Sequence, residues 1–136
     1  MRIPCTREEM RALGWDEPDV VLVSGDALLD TPHSGTAVIA RVLLDAGYRV
    51  GVIAQPDLRT GDDIRRLGAP RLFWGVTAGC VDSLVANRTA SGRVRRQDDF
   101  TPGGVNDRRP DRASIAYANH IRSAFRPCAP IILGGV

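Results

Sequence analysis

The sequence predicts an α/β domain on a doubly wound, mainly parallel sheet, arranged as three α/β/α layers. Three observations predict it. Short β-rich runs alternate with amphipathic helical stretches, the pattern of parallel strands joined by right-handed crossovers. Val20-Val21-Leu22-Val23 is apolar on successive residues, as a strand buried on both faces is. The chain has 136 residues, enough for one domain with a sizeable core and too few for two.

The elements follow in order. Thr6 to Leu13 reads as a short lead-in helix within residues 1–17, with Thr6 as cap and Glu9 three residues on. The first strand is the Val20–Val23 run behind Pro18-Asp19. Thr36 to Ala46 is helical, with Val38, Ile39, Val42, Leu43 and Ala46 on one apolar face and Gly47 as the stop. Arg49 to Ala54 is the second strand, Asp62 to Leu67 a short helix closed by Gly68, and Arg71 to Val76 the third strand. Val81 to Ala86 is helical after Gly79, and Asp111 to Phe125 is a longer helix with Asp111 as its candidate cap. Pro130 to Leu133 is the fourth strand. Between helices, residues 88–110 hold six arginines, three aspartates and Thr101-Pro102-Gly103-Gly104 without regular periodicity. A connection of that length is either functional or disordered.

Composition narrows the classes further. No apolar run approaches the ~20 residues of a membrane span, and no signal-peptide core is present. Three widely spaced cysteines, Cys5, Cys80 and Cys128, leave one thiol over in any pairing and match no zinc or iron–sulfur spacing, which points to a reducing cytoplasm. A net charge of +2 does not by itself imply a polyanionic partner. All 18 basic residues are arginine, which reads as coding bias because solvated helix faces lack lysine too.

In doubly wound sheets ligands bind at the carboxyl ends of the strands, near the switch in strand order. That rule selects Ser24-Gly25-Asp26-Ala27-Leu28-Leu29-Asp30-Thr31-Pro32-His33-Ser34-Gly35 after the first strand, leading with Thr36 into a helix N-terminus suited to anions. It also selects Val76-Thr77-Ala78-Gly79-Cys80 after the third. The candidate ligand-binding residues are therefore Gly25, Asp26, Asp30, His33, Gly35, Thr36, Thr77 and Gly79, with no catalytic or metal-ligating set. Asp26 and Asp30 are suited to a cation or a ligand hydroxyl, or simply to capping the loop and making an Asx turn before Pro32. The loop is neither GxGxxG nor a P-loop, which disfavours dinucleotides and Walker-type nucleotide binding. A loop histidine of this kind serves as lower axial ligand of cobalamin within Asp-x-His-x-x-Gly. Here the order is Asp30-x-x-His33-x-Gly35, so cobalamin has no intact motif. Asp57, after the second strand, is as suited to capping a turn as to gripping a ribose. Cys80 near a helix N-terminus has no identifiable histidine partner and reads as an inert thiol. Arg88, Arg93, Arg95, Arg96, Arg108, Arg109 and Arg112 could hold phosphates, but only Phe100 is interleaved for stacking, and the adjacent aspartates favour a solvated, self-paired loop.

The combination of short motifs resembles the N-terminal region of the YgiQ family of radical SAM proteins. It comprises Ser24-Gly25-Asp26-Ala27, Ala46-Gly47-Tyr48-Arg49-Val50, Ala54-Gln55-Pro56-Asp57, Gly75-Val76-Thr77-Ala78-Gly79, Thr101-Pro102-Gly103-Gly104, Arg109-Pro110-Asp111-Arg112-Ala113 and Ile132-Leu133-Gly134-Gly135. The family's first loop usually reads Asp-His-Pro-Ser-Phe-Gly, against Asp30-Thr31-Pro32-His33-Ser34-Gly35 here. The resemblance implies a flavodoxin-like or cobalamin-binding-domain-like fold. Residues 1–136 would be one Rossmann-like accessory domain without catalysis of its own, missing the downstream barrel. It further implies that the missing part carries CxxxCxxC, a [4Fe–4S] cluster and S-adenosylmethionine, and acts on an unassigned substrate. A chain ending after the fourth strand is expected to expose Ile131, Ile132 and Leu133 and to self-associate. Two other classes stay open: a stand-alone module for cobalamin, flavin or a nucleotide, and a nucleic-acid-binding domain using the arginine-rich loop.

Overall fold

The computed structural model describes residues 1–135. Its strands are Val20–Ser24 (β1), Val50–Ala54 (β2), Phe73–Thr77 (β3) and Ile131–Leu133 (β4). All pairings are parallel, in the order β2-β1-β3-β4. The helices are Arg7–Ala12 (α1), Gly35–Asp45 (α2), Asp62–Arg65 (α3), Ser83–Asn87 (α4) and Ala113–Ala124 (α5). The expected doubly wound class is the observed one. Strand order reverses between β1 and β3, so the loops after those two strands meet at the switch point.

Pleating assigns alternate strand residues to opposite faces. Val21, Val23, Ile53, Trp74 and Val76 point to the first face and pack with Met10 of α1, Ile64 of α3, and Ala113, Tyr117 and Ile121 of α5. Trp74 is fully buried, and its ring lies 5.2 Å from that of Phe125. Val20, Leu22, Val50 and Val52 point to the second face, where Ile3 and Ala37 and Ala40 of α2 cover them. The helices that lead outward to β3 and β4 lie on the first face, while α2 leads back to β2 and lies on the second. That is the distribution right-handed crossovers dictate.

Local signals explain several ends. Thr6 and Glu9 form the expected reciprocal cap of α1. Ser34 caps α2, its hydroxyl accepting from Ala37 N. The expected cap of α5 is corrected. Asp111 accepts instead from Asn87 Nδ2 and Arg88 Nε, at 3.1 and 2.8 Å, and the first N–H of α5, that of Ala113, is taken by the Ser83 hydroxyl of α4 at 3.1 Å. The expected core face of α2 is corrected too. Ala37 and Ala40 face the sheet, while Val38, Ile39 and Val42 are exposed. Small residues let α2 sit close to β1 and β2, Leu43 and Leu44 pack half-buried against the same core, and Val38, Ile39 and Val42 are turned outward.

Candidate functional site

Residues 88–110 are expected to be functional or disordered, with a solvated, self-paired loop favoured, and the structure agrees with the solvated, self-paired form: residues 91–97 are exposed, Arg88 pairs with Asp111 and Arg109 with Asp98. They form an ordered excursion pinned by single bridges, Arg88 to Val94 and Gln97 to Val105. Its far end folds over the carboxyl edge of the sheet, where Ala27 N donates to Phe100 O at 2.8 Å. The reason is one buried cation. The Arg109 side chain is wholly buried, placing Nη2 2.6 Å from Asp26 Oδ1 and Nη1 3.0 Å from Asp98 Oδ2. The second contact is an ion pair off the N–H axis, and Nε has no hydrogen-bond partner.

Further links tie this pair to the strands. The Thr101 hydroxyl donates to Asp98 Oδ2. Gln55 Nε2 reaches Thr101 Oγ1 at 2.6 Å and Gly25 O at 3.0 Å. Gln55 takes φ 47°, a left-handed conformation uncommon for a residue with a β-carbon. Asp26 Oδ2 accepts from Cys80 N at 2.7 Å. The ends of β1, β2 and β3 and the long loop are thereby joined through a continuous polar chain. Burial pushes the Asp98 carboxyl up, but the Thr101 hydroxyl, the Phe100 N–H and Arg109 outweigh it and hold it below the usual carboxylate range. Burial and Asp26 both push the Cys80 thiol up, so it is not an activated nucleophile.

Beside this chain lies a cleft of about 400 Å³ at the switch point. Its floor is the second face of the sheet at Leu22, Phe73, Gly75 and Ile132, its walls are Leu29, Ile39 and Phe100, and Ser24, Ser34 and Thr77 supply hydroxyls. Of the eight candidate residues, Asp26, His33, Gly35, Thr36, Thr77 and Gly79 line it. The other two serve the frame. A β-carbon at Gly25 would collide with the Ala78 carbonyl, so glycine lets the first loop cross beneath the third. Asp30 points away and pairs with Arg41, in place of the expected Asx turn. Gly79, at φ 124°, leaves no room for a β-carbon against the Asp26 carboxylate. Asp57 caps its own turn, accepting from Arg59 N at 2.9 Å, and its carboxyl is lowered to about 2 by hydrogen bonds from the Arg59 side chain and backbone.

Gln55, Thr101 and the apolar floor are not among the candidate residues, while Asp98 is expected only as a partner for the neighbouring arginines, as it proves to be for Arg109. The tract Thr101-Pro102-Gly103-Gly104 stands out within the aperiodic stretch, yet nothing in it tells which strand end it covers. Among the arginines, Arg88 is spent on Asp111 and Arg109 on the buried pair, while Arg108 donates to Gln55 O at 2.9 Å.

The cysteines sit apart in the fold, Cys5 ahead of α1, Cys80 after β3 and Cys128 ahead of β4. Among the described residues no three His, Cys, Asp or Glu side chains converge to hold a metal, so an iron–sulfur cluster does not fit the donors of this chain. Nor is any helix among them long and apolar enough to cross a membrane.

A family model described as "Radical SAM N-terminal" matches residues 2–136. The UPF0313 protein of Thermotoga maritima is 58% identical over 136 residues, all of this chain but 24% of that protein. A UPF0313 protein of Fusobacterium nucleatum is 52% identical over 135 residues, 98% of this chain and 24% of its own length. One from Pseudomonas aeruginosa is 48% identical over 134 residues, 98% of this chain and 18% of its own length. The chain thus spans about a quarter of the length of the curated relatives it matches most fully, and no solved structure matches it. The chain belongs to the radical SAM N-terminal family, as its motif set implies.

Proposed function

We propose that this member of the radical SAM N-terminal family is the accessory domain of a longer polypeptide whose downstream barrel holds the [4Fe–4S] cluster and S-adenosylmethionine. The domain is not catalytic by itself. The observation that carries this reading is where its charged groups go. At the switch point, Asp26 and Asp98 are both held by the single Arg109 guanidinium, and the Cys80 thiol is held protonated. No nucleophile there is paired with a base that would activate it. What is presented outward is an apolar cleft on a rigid rim.

The test compares residues 1–136 with the full-length polypeptide after anaerobic reconstitution with iron and sulfide. Each is then mixed with dithionite and S-adenosylmethionine. Cluster absorbance and 5′-deoxyadenosine are expected from the full-length polypeptide only. Both products from residues 1–136 alone would overturn the assignment.

The second reading is a small-molecule module, favoured by a cleft whose volume lies in the range of ligand pockets. Thermal shift with cobalamin, a flavin and a nucleotide, each offered to residues 1–136, tests it. A midpoint that none of the three moves counts against it.

A further inference from the structure

The second face of the sheet is only half covered. Over β1 and β2 it is sealed by α2 and Ile3. Over β3 and β4 it is bare, with Phe73 half-buried, no side chain at Gly75, and Ile132 54% exposed. Parallel sheets are normally covered on both faces. The outer side of α2 continues this bare surface. Ile39, which shares the cleft with Ile132, is 53% exposed, Val42 one turn on is 62% exposed, and Val38 beside them is 42% exposed.

A small molecule in the cleft does not account for this surface, because it would bury Ile39 and leave Val38 and Val42 in water. A contiguous apolar patch running beyond a pocket marks a macromolecular contact. Extending the sheet does not cover it either. Right-handed crossovers place each helix leading outward past β3 and β4 on the first face, as α5 already lies. The cover therefore returns from elsewhere towards α2. Its chemistry is also indicated, since among the described residues the one carboxylate lining the cleft, Asp26, is already paired with Arg109, and Asp30 nearby is paired with Arg41. The surface asks for an apolar, uncharged partner. The relatives that this chain matches over 24% of their length carry further polypeptide from which such a partner can come.

We propose that the outer stripe of α2 and the bare second face at β3 and β4 form the docking surface for an apolar helical face of the downstream polypeptide. This rests on the family reading only for the existence of that polypeptide. A tether makes such docking effectively intramolecular, so a modest patch suffices.

The experiment uses the full-length polypeptide as wild type and as Val42→Asp, Ile132→Asp and Val94→Asp. Limited proteolysis follows release of the N-terminal domain. Burying an unpaired carboxylate in an apolar contact is costly, so Val42→Asp and Ile132→Asp are expected to speed release by on the order of tenfold or more. Val94→Asp, an equally exposed position on the arginine-rich loop, is expected to leave it unchanged. In residues 1–136 alone, Val42→Asp is expected to leave the thermal midpoint in place. If it lowers that midpoint, Leu29→Asp, on the cleft wall outside any helix, takes its place and must reproduce the release. Wild-type release rates in the substituted full-length polypeptides would overturn the proposal. So would a dimer of residues 1–136 that Val42→Asp splits while full-length release stays unchanged, because the occupant would then be a second copy. Cluster assembly by the same wild-type polypeptide is the separate readout of the family reading. Its failure would sink that reading and leave the docking result standing.

Discussion

Two faces of one four-stranded sheet carry similarly apolar strands and meet different fates. The first face packs three helices against Trp74, Val76 and Ile53, and only at its β4 edge does Leu133, in register with Val76, stay 57% exposed among the described residues. The second has one helix, pressed close by Ala37 and Ala40, and leaves Ile132, Ile39 and Val42 outside. The contrast teaches that strand composition reports the capacity to be buried, while the cover is set by which helices arrive. Stability should therefore reside on the first face and association on the second.

The largest expected effect breaks or upholds that division directly. Trp74→Ala empties a fully buried site against Phe125 and should cost about 3–5 kcal/mol in urea unfolding. Ile132→Ala, in the next strand but on the second face and 54% exposed, should cost about 0.5 kcal/mol or less. Equal losses would show that both faces are equally closed.

Of comparable size is the removal of the cation that pins the long loop. Arg109→Met leaves Asp26 and Asp98 without their buried partner and should cost about 3–5 kcal/mol. Adding Asp26→Asn and Asp98→Asn to it should restore much of that loss, since the penalty is uncompensated charge rather than lost contact. If the triple variant is no more stable than the single one, the loop is held by packing instead.

How much of this was legible follows the same line. The four strands, their order of appearance and the parallel class came from local runs such as Val20-Val21-Leu22-Val23, because burial on both sides leaves its mark residue by residue. The switch-point loops followed from the class, and six of the eight candidate residues do line one cleft. The exposed side of α2 was misjudged because Val38, Ile39 and Val42 form as good an apolar stripe as Ala37 and Ala40. Only the close approach of helix to sheet decides between them. Arg109 was visible as one arginine among several. Its burial depends on two aspartates, 83 residues before it and 11 residues before it, meeting at the end of β1. That is a fact of topology rather than of spacing.

Acid should sharpen the contrast between the sheet's ends and its bare face. Asp98 is held low against its burial by the Thr101, Phe100 and Arg109 contacts. Asp19 is held low chiefly by the Arg49 N–H, against burial and with help from Arg71. Both folded values lie below the unfolded ones, so the unfolded chain takes up protons first as pH falls. The stabilisation is complete above about pH 4, the unfolded carboxylate range, and drains away as pH drops through the folded values. The urea midpoint at pH 3 should lie below that at pH 6, and Arg109→Met should show a shallower fall because its Asp98 has lost one source of the depression. A midpoint that does not move between the two pH values would mean these pairs contribute nothing.

The smallest effect probes how dry the closed face is. The Tyr117 ring is wholly buried on the first face, and its hydroxyl has no hydrogen-bond partner among the described residues. Burial pushes its ionisation up, with the nearby Arg109 charge working the other way, so the hydroxyl stays protonated and must bear its desolvation unrelieved. Tyr117→Phe removes that polar atom and leaves a void smaller than a methyl group. The change should be neutral to stabilising, by about 1 kcal/mol or less, because deleting an unsatisfied group removes a penalty while deleting a satisfied one adds a loss. The reading is sharp for that reason: a clear loss of stability in urea would reveal that the hydroxyl is bonded in solution and that the first face is less tightly closed than the second-face comparison assumes.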